Sequence, residues 1–270
     1  MADAPALKAT MDAIGVFDSG VGGLTVVSAL RRRLPGESIL YLGDTARLPY
    51  GSKSPDTVTR YTRRNIEFLT ERGVKAVVVA CNTASALALP DLDLRGVPTW
   101  GVIEPGARAA AAVSRGKVGV IATEATVRSD AYPRALRTLR PDLEILSQPC
   151  PLFVPLVEEG WHDDPVTEEV AERYLRPLLA AGVDTLVLGC THYPLLKPVL
   201  QRVAGPGVIL VDSAEQVAEM VAAGLAEQGL ESTHTPSHHF CVTDSGQTFQ
   251  RLARTILKDD GVTLEWVEVV

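Results

Sequence analysis

The chain has 270 residues, of which 46% are hydrophobic and 22% charged, and its formal net charge is −7. That length holds one large or two modest domains with a sizeable core. The acidic balance argues against a general nucleic-acid surface, and no apolar run approaches the roughly 18 residues of a membrane helix.

Residues 1–12 lack the apolar stretch of a secretory signal and read as a flexible leader, so a cytoplasmic protein is expected. The first element is the short apolar run Ala13–Phe17, followed by Asp18-Ser19-Gly20-Val21-Gly22-Gly23. This reads as a strand, a glycine-rich turn and a helix over 24–33. The turn is not a dinucleotide fingerprint, because the sixth position counted from Gly20 is Thr25. It does offer backbone N–H groups at a helix N-terminus, which suit a carboxylate as well as a phosphate. Asp18 ends the strand, where open α/β sheets place their ligands; a helix cap is its competing role.

A second strand over 38–42 leads to a long polar loop over 43–54, whose Tyr50-Gly51 could close over a ligand. A helix over 56–72 is stopped by Gly73. The apolar run Val77–Ala80 then enters Cys81-Asn82-Thr83-Ala84-Ser85 and a short helix, and a strand over 97–103 ends on the carboxylate of Glu104.

From residue 117 the order restarts. Lys117–Thr123 parallels Ala13–Asp18 at an offset of 104 (119 − 15, by Gly119 and Gly15). Leu186-Val187-Leu188-Gly189-Cys190-Thr191-His192 repeats the Cys81 pattern 109 positions later (190 − 81). Between them lie helices over 132–139 and 167–180 and a strand over 144–147; a strand over 208–212 and a helix over 213–227 follow. The polar stretch Glu231–His239 holds His234, His238 and His239 near Cys241. With no C-x-x-C and no helical His pair it reads as a solvated loop, not a metal site. A strand over 240–243, a helix over 247–258 and a strand over 264–269 close the chain. The expected fold is α/β: two similar lobes, each a mostly parallel sheet flanked by helices, with the active site in the cleft between them.

Cys150 and Cys241 read as small buried apolar residues, and no disulfide framework is expected. Cys81 and Cys190 are different because their contexts repeat. A cysteine at a helix N-terminus is expected to have a depressed pKa, with Asp18 near the first thiol and His192 two residues after the second. Two thiols on opposite faces of one carbon let one take a proton while the other gives one, which inverts the centre. No metal, flavin or nicotinamide is required. An amino acid's α-proton is far less acidic than a thiol with a pKa near about 8.5. The site must therefore stabilise a carbanion with donors such as Ser19, Asn82, Thr83 and Thr191.

The residues resemble the glutamate racemases of the aspartate/glutamate racemase superfamily. The motifs are Ile14–Thr25, Gly43–Arg47 with Pro49-Tyr50-Gly51, Ala80–Ser85, Gly101–Gly106, Leu188–Leu196 and Val211–Ala214. They stand in family order along nearly the whole chain. The resemblance implies interconversion of L- and D-glutamate for peptidoglycan, without cofactor or metal. It implies Cys81 as the base toward D-glutamate and Cys190 toward L-glutamate, with Asp18 and His192 assisting and Glu104 supporting. It implies substrate contacts from Asp18, Ser19, Tyr50, Gly51, Asn82, Thr83, Thr191 and His192. It implies a first lobe of residues 13–104 plus 212–270, a second lobe of residues 105–211, and a homodimer. Some family members bind gyrase, a property that these residues do not carry legibly. The rival readings are a racemase of aspartate or a similar acid, and a hydrolase or transferase using one thiol with His192, which leaves the other thiol idle. Arg47 reads as a loop-bracing ion pair, not as the anchor of the distal carboxylate.

Overall fold

A computed structural model describes residues 12–92, 94, 96–244 and 246–269; the expected leader lies outside these except for Asp12. In chain order the first elements are β1 (Ile14–Asp18), α1 (Leu24–Arg33), β2 (Ile39–Gly43), α2 (Pro55–Glu71), β3 (Ala76–Val79), α3 (Asn82–Leu87) and β4 (Thr99–Gly101). Next come α4 (Ile103–Val113), β5 (Lys117–Ala122), α5 (Glu124–Arg128), α6 (Ala131–Leu139), β6 (Glu144–Pro149), α7 (Phe153–Glu158), α8 (Pro165–Ala180), β7 (Thr185–Gly189), α9 (Lys197–Ala204) and β8 (Ile209–Val211). The chain closes with α10 (Ala214–Glu227), β9 (His238–Val242), α11 (Gln247–Leu257) and β10 (Leu264–Trp266).

Among the described residues the strands form two sheets, β10-β9-β2-β1-β3-β4 and β6-β5-β7-β8. Every pairing in both is parallel. The central strands are fully buried and largely apolar, Asp18 at the end of β1 and Thr185 at the start of β7 excepted, as a sheet covered on both faces requires. In the first sheet, Ile14, Val16 and Tyr41 point to a core shared with α1, α10 and α11. Phe17, Leu40 and Val79 point to the opposite core, under α2. The second sheet is likewise packed on both faces. The chain crosses between sheets through α4 and α10, which also pack on each other.

In each sheet one strand has its successors on both sides: β1 lies between β2 and β3, and β5 between β6 and β7. The crevices at the C-terminal ends of such strands are where open α/β sheets bind ligands. Asp18 and Cys81 flank the first crevice, after β1 and β3; Thr123 and Cys190 flank the second, after β5 and β7.

Several boundaries differ from expectation. The strand expected over 97–103 stops at Gly101, and Glu104 lies in the first turn of α4. Pro105 fits that turn because its missing N–H has no intrahelical partner there. Helix α8 starts at Pro165, capped by Asp164, whose side chain accepts the Val166 N–H at 2.8 Å. The stretch read as a loop through His239 already pairs with β2 from His238 onward. Helices α5 and α7 were not anticipated, being only five and six residues long.

Candidate active site

The turn after β1 is organised by its aspartate. Asp18 Oδ2 accepts the N–H groups of Gly20 and Gly23, each at 3.0 Å, and the buried Tyr41 hydroxyl donates to the Gly20 carbonyl. Asp18 braces the turn and does not cap α1, whose N-cap is Gly23 with no side-chain cap, and it also accepts from the Thr191 hydroxyl of the other lobe at 3.3 Å. The lobes meet closely here: a Cβ on Gly22 would lie 2.5 Å from Thr191 Oγ1 and 2.7 Å from His192 Nδ1. Glycine is the residue that permits this approach.

The turn after β3 supplies Cys81, Asn82 and Thr83 at the start of α3. Cys81 Sγ lies 3.7 Å from Ser19 Oγ. Thr83 forms a buried hydroxyl triangle with Thr123 (2.9 Å) and Thr126 (3.2 Å) of the second lobe. The turn after β7 supplies Cys190, Thr191 and His192. Cys190 Sγ lies 3.9 Å from His192 Nδ1, and His192 Nε2 lies 3.1 Å from Glu158 Oε1 on α7.

The loop after β2 is braced from within. The buried Asp44 carboxylate accepts from the Tyr50 hydroxyl, from Arg47 Nε at 3.0 Å and from Thr243 Oγ1 at 3.1 Å. Asn65 Nδ2 donates to the Tyr50 hydroxyl at 2.9 Å. Tyr50 is therefore a fully buried core side chain, not a free lid as its loop position suggested. Gly51 abuts the second lobe, where a Cβ would lie 2.5 Å from Thr123 Cβ. Arg47 also donates to the Val269 carbonyl at 2.8 Å and stacks over Tyr61, so its charge is turned toward the loop and the C-terminal segment.

These turns line a narrow cleft between the lobes with a cavity volume of about 20 Å³, formed by Ser19, Tyr50, Gly51, Cys81, Asn82, Thr83, Cys190, Thr191 and His192. Leu48, Pro49, Thr123 and Val154 complete the lining. Asp18 stands behind the wall, held by the turn. Glu104 is not brought there: it is more than half exposed on α4 and pairs with Arg108 at 2.6 Å. The carboxylate that does reach the cysteine–histidine pair, Glu158, was missed because its segment carried no readable periodicity. Thr123 was missed although the repeat aligns it with the residues after β1. In the 234–239 stretch, His238 and His239 begin β9, and among the described residues no group of three or more His, Cys, Asp or Glu is placed to hold a metal ion.

Burial sets much of the electrostatics. It pushes the Asp18 carboxyl above its ordinary value, against the lowering influence of His192, the Gly20 and Gly23 N–H groups and Thr191. Burial, followed by the Asp18 charge, pushes the Cys81 thiol up to about 12, outweighing the Ala84 N–H and the Ser19 hydroxyl. This reverses the expected helix-terminus depression, since α3 has only six residues and the thiol is desolvated. Cys190 has no α-helix directly after it; a short 3-10 turn, Tyr193–Leu196, follows instead. For His192 burial works against the charged ring, but hydrogen bonds to Cys190 and Glu158, with the charges of Cys190 and Asp18, win and push it up to about 10.

The arrangement presents two thiols, one from each lobe, to one small cavity rich in hydroxyl and amide donors, with a histidine–carboxylate pair behind one thiol. A family profile described as Asp/Glu/Hydantoin racemase matches residues 22–221. A glutamate racemase of Geobacter metallireducens is 53% identical over 249 residues, 91% of this chain and 92% of the relative. The glutamate racemase of Francisella tularensis, solved in complex with D-glutamate, superposes with a TM-score of 0.90 at 38% identity, covering 96% of this chain and 98% of that one. The Escherichia coli glutamate racemase, solved with L-glutamate and the activator UDP-MurNAc-ala, gives 0.78 at 31% identity over 96% and 99% of the two chains.

Proposed function

The chain belongs to the Asp/Glu/hydantoin racemase family and, within it, to the glutamate racemases, and from that premise we propose that Cys81 and Cys190 are the two bases of the reaction. It racemises glutamate, the amino acid seen in both enantiomers in the Francisella tularensis and Escherichia coli relatives. The observation that carries the mechanism is the position of the two thiols at the matching ends of β3 and β7, on opposite walls of one cavity.

With D-glutamate bound, the Cys81 thiolate takes the α-proton on one face, leaving a carbanion. The Cys190 thiol delivers a proton to the opposite face. Cys81 ends as thiol and Cys190 as thiolate, and L-glutamate leaves; the reverse direction exchanges the roles. His192, hydrogen-bonded to both Cys190 and Glu158, holds a proton beside the second thiolate. Ser19, Asn82, Thr83 and Thr191 provide donors for the two carboxylates, and Ser19, Thr83 and Thr191 also for the charge that spreads onto the α-carboxylate as the carbanion forms. The closed walls keep water from competing for those donors. Glu104 is left outside this scheme.

Incubation with L-glutamate in deuterated water tests the reading. Optical rotation is expected to decay to zero with deuterium appearing at Cα in enzyme dialysed against chelator. A stable rotation with no exchange rejects it. We further assign the reaction to the cytoplasm, as D-glutamate supply for peptidoglycan, and the chain to a homodimer, on family resemblance. No helix among the described residues is long and apolar enough to cross a membrane, and light scattering of the purified protein reads the dimer directly.

A further inference from the structure

Asn82 is a residue of two ends. Its Oδ1 accepts the Tyr132 hydroxyl at 2.7 Å, while its Nδ2 donates to no protein group among the described residues. Both side chains are buried, and Asn82 lines the cavity between the thiols. Tyr132 comes from α6 of the second lobe and Asn82 from α3 of the first, so the bond spans the cleft. An amide held by its oxygen has its N–H₂ turned the other way. Here that other way is toward the cavity, where an anionic substrate needs donors. The phenol is itself confined: Gly106 on α4 leaves it room, and a Cβ there would lie 2.9 Å from the Tyr132 hydroxyl.

We infer that Tyr132 is a positioning residue that fixes the Asn82 amide with its N–H₂ toward a substrate carboxylate, and does so only when the two lobes are apposed. This rests on the glutamate racemase reading above. Removing the phenol oxygen frees the amide to turn over and present its oxygen to the carboxylate. It leaves the thiols and their hydrogen-bond partners as they are. The cost therefore falls on binding, equally for both enantiomers, because the amide addresses a carboxylate and not the migrating proton.

The test compares wild type, Tyr132→Phe, Asn82→Ala and the double variant in both directions. Tyr132→Phe is expected to raise KM for L- and D-glutamate by about five- to tenfold, the worth of one buried hydrogen bond, with kcat within about twofold of wild type. In the Asn82→Ala background it should add no further rise, since the phenol acts through that amide. Gly106→Ala, which crowds the phenol without touching Asn82, should reproduce the KM rise and serves if Tyr132→Phe does not fold. Wild-type KM in Tyr132→Phe, or a KM rise that persists undiminished without the Asn82 amide, overturns the inference while leaving the racemase reading intact. A wild-type protein that does not exchange the α-proton of glutamate overturns the racemase reading, and the inference with it.

Discussion

Cys81 sits where opposite influences on a thiol meet. The start of α3 and the Ala84 N–H favour thiolate; burial and the Asp18 charge favour thiol and prevail. The protonated thiol is thereby favoured. The α-ammonium of a bound zwitterion brings a positive charge into the same desolvated space, and in low dielectric that charge lowers the thiol's pKa far more than it would in water. Replacing either Cys81 or Cys190 with Ser is expected to slow racemisation by at least about 10²-fold, the usual worth of a positioned acid or base; circular dichroism from each enantiomer reads it, and near-wild-type turnover in either variant rejects the two-base scheme. His192 gives a second handle. Its raised pKa depends partly on Glu158, so Glu158→Gln should move the alkaline limb of the kcat/KM profile to lower pH, and an unmoved limb would detach Glu158 from the reaction. The sequence made Cys81, Cys190 and His192 readable because each stands in a repeated or adjacent motif. It hid Glu158 and Tyr132, which reach His192 and Asn82 from helices of the second lobe and are neighbours of these residues only in space.

At the scale of elements, the loop after β2 shows how one wall of the cavity is held in place from behind. Asp44 receives Tyr50, Arg47 and Thr243; Thr243 Oγ1 in turn accepts the Ala46 N–H at 3.0 Å, and its carbonyl accepts Trp266 Nε1 at 3.0 Å. The loop is thereby bolted to β9 and β10, the last strands of the chain. Asp44→Ala leaves the Tyr50 hydroxyl and Arg47 without their acceptor, at about 1–3 kcal/mol for each buried group stranded. A drop in the urea midpoint together with a higher KM is the expected result, and unchanged stability would dismiss the brace. Gly22→Ala probes the opposite wall: its Cβ would collide with Thr191 and His192. Activity should fall by more than about tenfold with only a small loss of stability, since the lobes can part to relieve the clash. The long elements were legible from apolar runs and glycine stops. Short α5 and α7 were not, because a turn or two of helix contains too few residues to express a period. The end of β4 was misjudged because the tertiary fold, not propensity, starts α4 at Ile103.

Across the whole molecule the buried titratable groups predict the shape of the stability curve. His162 and His238 are pushed below the ordinary histidine value, first by burial and then by Arg251 and Arg31 respectively. A lowered pKa means the unfolded chain binds the proton more readily, so their contribution is lost as pH falls below about 6.5. His192 has the opposite sign. Its pKa rises from 6.5 to about 10, so the native state holds more protons through that interval. Its contribution is complete below about 6.5 and is lost as pH climbs through 10. Cys81 and Cys241, both pushed by burial from 9.0 to about 12, extend the same decline above pH 9. Stability should therefore peak near pH 6.5, fall by a few kcal/mol, in order of magnitude, toward pH 10, and fall more steeply beyond. Thermal unfolding from pH 5 to 10.5 reads the curve, and His192→Gln separates the causes. With the histidine gone, the slope between pH 6.5 and 9 should flatten while the loss above pH 9 remains, because the cysteines are untouched. A variant that keeps the wild-type slope between pH 6.5 and 9 would show that the proton held at the catalytic cleft does not govern the stability of the fold around it.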